Sequence, residues 1–130
     1  MNLLTLNKWD VIRVYRSDLR QPHDKFCICI CPLRFWFFYV NSEPPSFRKK
    51  RQFAIDVANH ELTCLTKPVS YIDTTTIIDD LPEAALAAAL LPINGHHYGP
   101  IAPFLRKKII ETAQRHGVLS PVQLDAVLSD

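Results

Sequence analysis

Lys25-Phe26-Cys27-Ile28-Cys29-Ile30-Cys31-Pro32-Leu33-Arg34-Phe35-Trp36-Phe37-Phe38-Tyr39-Val40-Asn41 is the stretch that decides the fold. Lys25 to Cys31 is apolar on both of the faces that an extended chain presents, which marks a central strand. Pro32-Leu33 permits a tight reversal. Arg34 to Asn41 reads as the next strand, with Phe35, Trp36, Phe37, Phe38 and Tyr39 in succession. Two strands joined by so short a connection predict an antiparallel hairpin.

Working outward, Trp9 to Arg16 is a strand whose two alternating sets are both rich in aromatic and β-branched residues. The polar loop Ser17 to Asp24 leads into the hairpin. After it, Ser42 to Arg51 reads as a proline-containing loop with the basic run Arg48-Lys49-Lys50-Arg51. Gln52 to Val57 is a short fourth strand and Asn59 to Leu65 one helical turn. Pro68 to Ile78, with Tyr71, Ile72 and three threonines, is a fifth strand.

Beyond residue 80 the composition turns helical. Asp80 and Glu83 have the spacing of a capping box with Pro82 in the first turn, opening a helix to Leu91. Pro100 to His116 carries an apolar stripe of Ile101, Phe104, Leu105, Ile109, Thr112 and Ala113, and Gly117 is placed to end it. Ser120-Pro121 caps a last helix through Leu128. The expectation is one α+β domain over 1–130. It has a small curved antiparallel sheet or SH3-like barrel of about five strands at 8–80, followed by a helical part at 81–130.

With 130 residues, the chain is long enough to bury a core without disulfides or metal. Its net charge of +2 is small but unevenly placed. Residues 1–55 hold ten Lys/Arg against four Asp/Glu, and residues 56–130 hold five against nine. A basic first half favours an anionic partner. The longest apolar stretch, Phe26 to Val40, is broken by Pro32 and Arg34, whereas a membrane span needs about 20 residues. The first residues lack the basic and apolar regions of a secretory leader. A cytoplasmic protein with reduced thiols, away from the membrane, is therefore expected.

Cys27, Cys29 and Cys31 share one strand face at about 6.6–7 Å intervals, too wide for neighbouring ligands of one zinc ion. They read as small core thiols. No metal ligand set and no cofactor are expected, and no glycine precedes Gly95, so no glycine-rich phosphate loop exists in the strands. His96-His97 reads as a surface pair and His60 as a capping or surface residue.

Two segments suit nucleic acid. The run Arg48, Lys49, Lys50 and Arg51 is flanked by Phe47 and Phe53, a combination that can follow a phosphate backbone while an aromatic ring stacks on a base. Tyr71, Asp73 and Thr75 alternate, so an extended chain places a phenol, a carboxylate and a hydroxyl in one row; the bland reading is a strand whose Asp73 caps a neighbouring turn.

Asp10-Val11-Ile12-Arg13-Val14-Tyr15, the polar loop holding Arg20, the strand Lys25 to Pro32 and the strand Ser70-Tyr71-Ile72-Asp73 together resemble the MazF/PemK-type toxins, over roughly residues 8–80. That resemblance implies an SH3-like barrel acting as a metal-independent endoribonuclease on single-stranded RNA, with an antitoxin as partner. The residues it assigns to the scissile phosphate are Arg20 and Ser42, assisted by Asp73, and the RNA contacts would be Lys25, Arg48, Lys49, Lys50, Arg51 and Tyr71. Here Leu19-Arg20-Gln21-Pro22 lacks the family's glycine before the arginine and interposes Gln21 before the proline. The alternative is an inactive barrel, of phage or mobile-element type, that binds protein or nucleic acid. The surplus of aromatic residues at 35–39 adds the expectation of a homodimer.

Overall fold

The computed structural model describes residues 6–129. Its elements run β1 (Asp10–Arg16), β2 (His23–Cys31), β3 (Trp36–Asn41), α1 (Arg48–Gln52), β4 (Ile55–Ala58), β5 (Val69–Ile72), α2 (Glu83–Leu90), a 3₁₀ turn (Pro92–Asn94), β6 (His97–Pro100), α3 (Pro103–His116) and α4 (Pro121–Leu128). The six strands form one open, curled antiparallel sheet in the order β4-β5-β3-β2-β1-β6. The fold is α+β.

The β2–β3 hairpin forms with Ile28 opposite Phe38 and Cys27 opposite Tyr39. Its connection is longer than Pro32-Leu33 alone. Phe35 N donates to the Pro32 carbonyl at 3.3 Å, and Phe35 takes a left-handed φ of 54°. That conformation is costly for a side-chain-bearing residue, and it is held by packing of Phe35 against the apolar cluster on one sheet face.

Period-two alternation sends each strand's residues to two cores. On one face Val11, Ile28, Ile30, Phe38, Val40, Val57 and Ile72 meet Leu105, Ile109 and Ala113 of α3 and Val127 of α4. On the other, Ile12, Val14, Cys27, Cys29 and Phe37 meet Leu86, Ala89 and Leu90 of α2. Burying each large side chain contributes about 1.5–3 kcal/mol, so both faces are strongly specified. The aromatic surplus of β3 is thereby covered within the chain: Phe38 and Trp36 on the α3 side, Phe37 and Tyr39 on the α2 side. The aromatic reason for expecting a homodimer falls away.

Several expectations are corrected. The basic run is not a loop but the helix α1, with Arg51 N donating to the Phe47 carbonyl at 2.9 Å. The fourth strand begins at Ile55 rather than Gln52, and the fifth closes at Ile72, leaving only an isolated bridge between Phe37 and Ile78. Residues 59–64 form successive turns, the first closed as a single helical turn by Leu62 N donating to the Ala58 carbonyl at 3.2 Å. The Asp80/Glu83 capping box is not made: α2 begins at Glu83 with Pro82 at the N-cap position, so Asp80 lies two residues before the cap, where it bonds Arg16. The segment after residue 80 is not all helical, since β6 returns to pair with β1. Phe104 lies off the stripe, half exposed, whereas Leu105, Ile109, Thr112 and Ala113 are buried.

Other signals are met. Gly117 ends α3 at a φ of 61°. Ser120 caps α4, accepting from Gln123 N at 3.2 Å, while Ser120 N donates to Gln123 Oε1 at 3.1 Å. Lys8 Nζ donates to the carbonyls of Ala126 at 2.7 Å, Val127 at 3.0 Å and Ser129, placing a cation at the C-terminal end of α4. No helix among the described residues is long and apolar enough to cross a membrane.

Candidate nucleic-acid interface

Strand register assembles a polar row at one end of the α2 side of the sheet. Val14 pairs with Lys25, Asn41 with Tyr71, and Tyr71 with Asp56. Lys25 and Asn41 meet across β2 and β3, where Lys25 Nζ donates to Asn41 Oδ1 at 3.0 Å. The apolar cluster under α2 stops at Val14, Cys27 and Tyr39, and the row Lys25–Asn41–Tyr71–Asp56 begins there. Neighbouring strands lie about 4.8 Å apart, so this row presents an ammonium, an amide, a phenol and a carboxylate in sequence.

Lys25 is the cation of the row. Its Nζ lies 4.7 Å from the centre of the Tyr39 ring, and among the described residues it has no carboxylate partner. Burial pulls its pKa below the ordinary lysine value, and Arg16 adds to that pull. A half-buried ammonium held only by an amide oxygen and a ring face is a charge that an anionic ligand would stabilise.

Beside the row, Arg16 is almost fully buried. Its guanidinium donates to Tyr39 Oη at 2.7 Å, to Asp80 Oδ1 at 3.0 Å and to both carboxylate oxygens of Asp18, at 3.1 and 2.5 Å. The Asp18 contact is the largest cause holding Arg16 protonated, and it pulls Asp18 below the usual carboxylate range. Burial raises the Tyr39 phenol against the opposing pull of Arg16. This knot is spoken for by protein carboxylates, so it fixes Tyr39 rather than offering a free charge.

At the far end of β5 the expected row Tyr71–Asp73–Thr75 does not form. The strand stops at Ile72, and Thr75 folds back so that its N donates to Asp73 Oδ1 at 2.9 Å and its Oγ1 to the same oxygen at 2.5 Å. Lys50 of α1 stands 3.8 Å from Asp73 Oδ2 and donates to Thr76 Oγ1 at 3.1 Å. Arg48, Lys49 and Arg51 lie on the same short helix. Phe53 at its end packs edge-on against His116, ring centres 5.4 Å apart, and with Lys50, Thr75 and Thr76 lines an open cavity of about 600 Å³.

His116 is a rivet in that wall. Its Nδ1 accepts from Val118 N at 3.0 Å, and its Nε2 donates to the Thr74 carbonyl at 3.1 Å. Those two backbone groups require the neutral ring with the proton on Nε2. Burial lowers its pKa, Arg115 adds to the lowering, and the Thr74 carbonyl and Asp73 oppose it.

The three residues assigned to the scissile phosphate are not joined. Arg20 is exposed in the loop between β1 and β2, and makes no side-chain hydrogen bond or ion pair among the described residues. Ser42, also exposed, lines a separate cleft with Lys25, Asn41, Thr66 and Ser70. Asp73 is engaged with Thr75 and Lys50. Lys25 and Tyr71, by contrast, belong to one row.

Sequence reasoning missed the bonds of β1 with His96 and His97. His97 Nε2 donates to Asp10 Oδ2 at 2.6 Å, and Arg13 Nη2 donates to His96 Nε2 at 2.7 Å. The two neighbouring rings serve different partners on β1, which suits a strand. Cys27 and Cys29 are buried free thiols; burial pushes Cys27 up to about 12 and raises Cys29 as well. Among the described residues no three His, Cys, Asp or Glu side chains are grouped to hold a metal ion. Compared with known proteins, the chain matches no family model, no curated protein and no solved structure, so the reading of this interface stands on its own residues.

Proposed function

We propose that this chain binds single-stranded nucleic acid, RNA foremost, along the polar end of the α2 side of its sheet. The observation that carries the reading is the cross-strand row in which Lys25 and Asn41 stand beside Tyr71, with an ammonium that no carboxylate neutralises. Tyr71 supplies a stacking surface, Asn41 an amide for base edges, and Lys25 a phosphate contact. Arg48 and Arg51 of α1 extend the cationic track. Fluorescence anisotropy with labelled single-stranded RNA, single-stranded DNA and duplex RNA tests it. Saturable, salt-sensitive binding that prefers the single strands is expected; equal affinity for duplex and single strand would overturn it.

A second reading is cleavage, as the likeness to MazF/PemK-type toxins implies. Asp73 favours it, a carboxylate that accepts from the Thr75 hydroxyl and faces Lys50, whose Nζ in turn donates to Thr76 Oγ1. Arg20 would then stabilise charge developing on phosphorus once RNA is bound, and an antitoxin would occupy the same face. Wild-type protein is expected to cut single-stranded RNA in EDTA, and Arg20→Ala to slow that cut by roughly 10²–10³-fold, as for loss of one oxyanion donor. No cleavage above a buffer control leaves binding alone.

A further inference from the structure

We infer that the open cavity between α1, the segment after β5 and the turn after α3 is a receptor for one nucleobase. Its volume of about 600 Å³ lies within the range of about 300–1,000 Å³ that small-molecule sites span. Phe53 and His116 form one wall, their rings set edge to face with centres 5.4 Å apart. Val118, 56% exposed, and the half-buried Phe53 leave apolar surface there that a flat ring would cover.

The polar groups around that surface are neutral or already offset. Lys50 Nζ stands 3.8 Å from Asp73 Oδ2 and donates to Thr76 Oγ1 at 3.1 Å, so its charge is met within the chain. Both His116 nitrogens are held by backbone groups, in the neutral ring. A phosphoryl group would find no unpaired cation among the lining residues. What remains is a set of uncharged donors and acceptors. The Thr75 hydroxyl gives its proton to Asp73 and keeps its lone pairs, whereas Thr76 Oγ1 accepts from Lys50 and keeps its proton. Gln52 is exposed, has no side-chain partner among the described residues, and brings an amide with both functions. Such groups beside an apolar wall match the edge and the face of a heterocyclic base.

The cavity's place supports a base carried by a bound strand. Asp73, which engages Lys50 and Thr75, comes two residues after Tyr71 and stays tied to β3, its N donating to the Tyr39 carbonyl at 3.3 Å. Two extended residues cover ~6.6 Å, so the lining begins about one step beyond the proposed Tyr71 stacking surface. Arg48 and Arg51, exposed on the same helix as Lys50, supply cations for the backbone that would carry the base. The cavity stands on its own lining, but assigning its base to a strand rests on the nucleic-acid reading.

Titration of the ¹⁵N-labelled full chain with adenosine, guanosine, cytidine and uridine, against ribose 5-phosphate, tests the cavity. Saturable shifts at the amides of Gln52, Phe53, Thr75, Thr76 and Val118 are expected with at least one nucleoside and not with the sugar phosphate. Val118→Trp should weaken that nucleoside about tenfold or more, the scale of one stacked base, because the larger side chain fills the space. Gln52→Ala, at a second exposed position, should weaken it by a smaller factor, and both variants should keep the wild-type thermal midpoint. No saturable shifts, equal shifts with ribose 5-phosphate, or wild-type affinity in both variants would overturn the proposal. The source of the base is read from single-stranded RNA. RNA binding weakened in Val118→Trp assigns the cavity to a bound strand; RNA binding lost in Tyr71→Ala but untouched in Val118→Trp assigns it to a free nucleoside. Nucleoside binding without RNA binding keeps the cavity and removes the nucleic-acid reading. RNA binding without nucleoside binding does the reverse.

Discussion

Arg16 and Asp80, 64 residues apart, are bound at two points: Nη1 donates to Asp80 Oδ1 at 3.0 Å and Nη2 to the Asp80 carbonyl at 3.2 Å. The contact ties the end of β1 to the segment that leads into α2. Asp80 does not take the capping role that its spacing to Glu83 suggested. The helix starts at Glu83 with Pro82 at its N-cap position, which leaves Asp80 outside the first turn and free to bond the nearly buried guanidinium.

Arg16→Gln should therefore destabilise the fold by about 2 kcal/mol, below the 3–5 kcal/mol of a fully buried pair because Asp18 and Asp80 are themselves largely in solvent. Arg16→Lys should recover little, since one ammonium cannot reach Tyr39, Asp18 and Asp80 together. Urea unfolding of the three proteins at one pH checks both. Wild-type stability in Arg16→Lys would show that charge alone suffices.

His116 predicts an acid-side loss of stability. Its folded pKa lies below the ordinary histidine value of 6.5, so the unfolded chain binds more protons in that range. The contribution is complete above the unfolded value and is lost as pH falls through the lowered folded one. Protonation at Nδ1 sets two N–H groups face to face at Val118 and opens the turn after α3. The urea midpoint should fall from neutral pH toward about pH 5, in the range where histidine titrates. His116→Gln should flatten that fall. A slope unchanged in His116→Gln assigns it to other groups.

Legibility in the sequence followed the size of the local signal. The hairpin at 25–41 and the α3 stripe rest on many buried side chains in register, and both are legible. The helix at 48–52 is five residues long with no side-chain cap, a length that is unstable without tertiary support. Its support is Phe53 against His116, 63 positions away, which no local pattern carries. The strand β6 was invisible for a related reason. His97-Tyr98-Gly99-Pro100 lacks strand alternation, and its place is fixed by backbone bonds, Arg13 N to the His96 carbonyl at 2.9 Å and Ile101 N to the Trp9 carbonyl at 3.0 Å. Of the site, Lys25 and Tyr71 were foreseeable as types. That they share one row depends on register across β2, β3 and β5.

The thiols give a separate readout of the two cores. Cys27 and Cys29 lie within the apolar layer under α2, whereas Cys31 and Cys64 are half-buried. Native-state alkylation near pH 8 should modify Cys31 and Cys64 first. Cys27, with its thiol pushed up to about 12 by burial, should react only at the rate of global opening, and Cys29 likewise. Mass mapping of the alkylated peptides decides it, and early modification of Cys27 would mean that the α2 layer opens on its own.

Salt separates the contacts of the proposed interface. Arg48→Ala removes an exposed cation, so it should weaken single-stranded RNA binding uniformly across sequences and reduce the slope of log affinity against log salt by about one. Tyr71→Ala removes a stacking surface and no charge. It should cost about 1–3 kcal/mol of binding and leave the slope unchanged. Lys25→Gln should do more than Arg48→Ala despite the same change in charge, because Lys25 is half-buried and screened less by salt than a cation in solvent. Anisotropy titrations of the three variants at several salt concentrations give slopes and intercepts directly. If Tyr71→Ala binds like wild type while Arg48→Ala is impaired, RNA is held by charge at α1 alone and the sheet face takes no part.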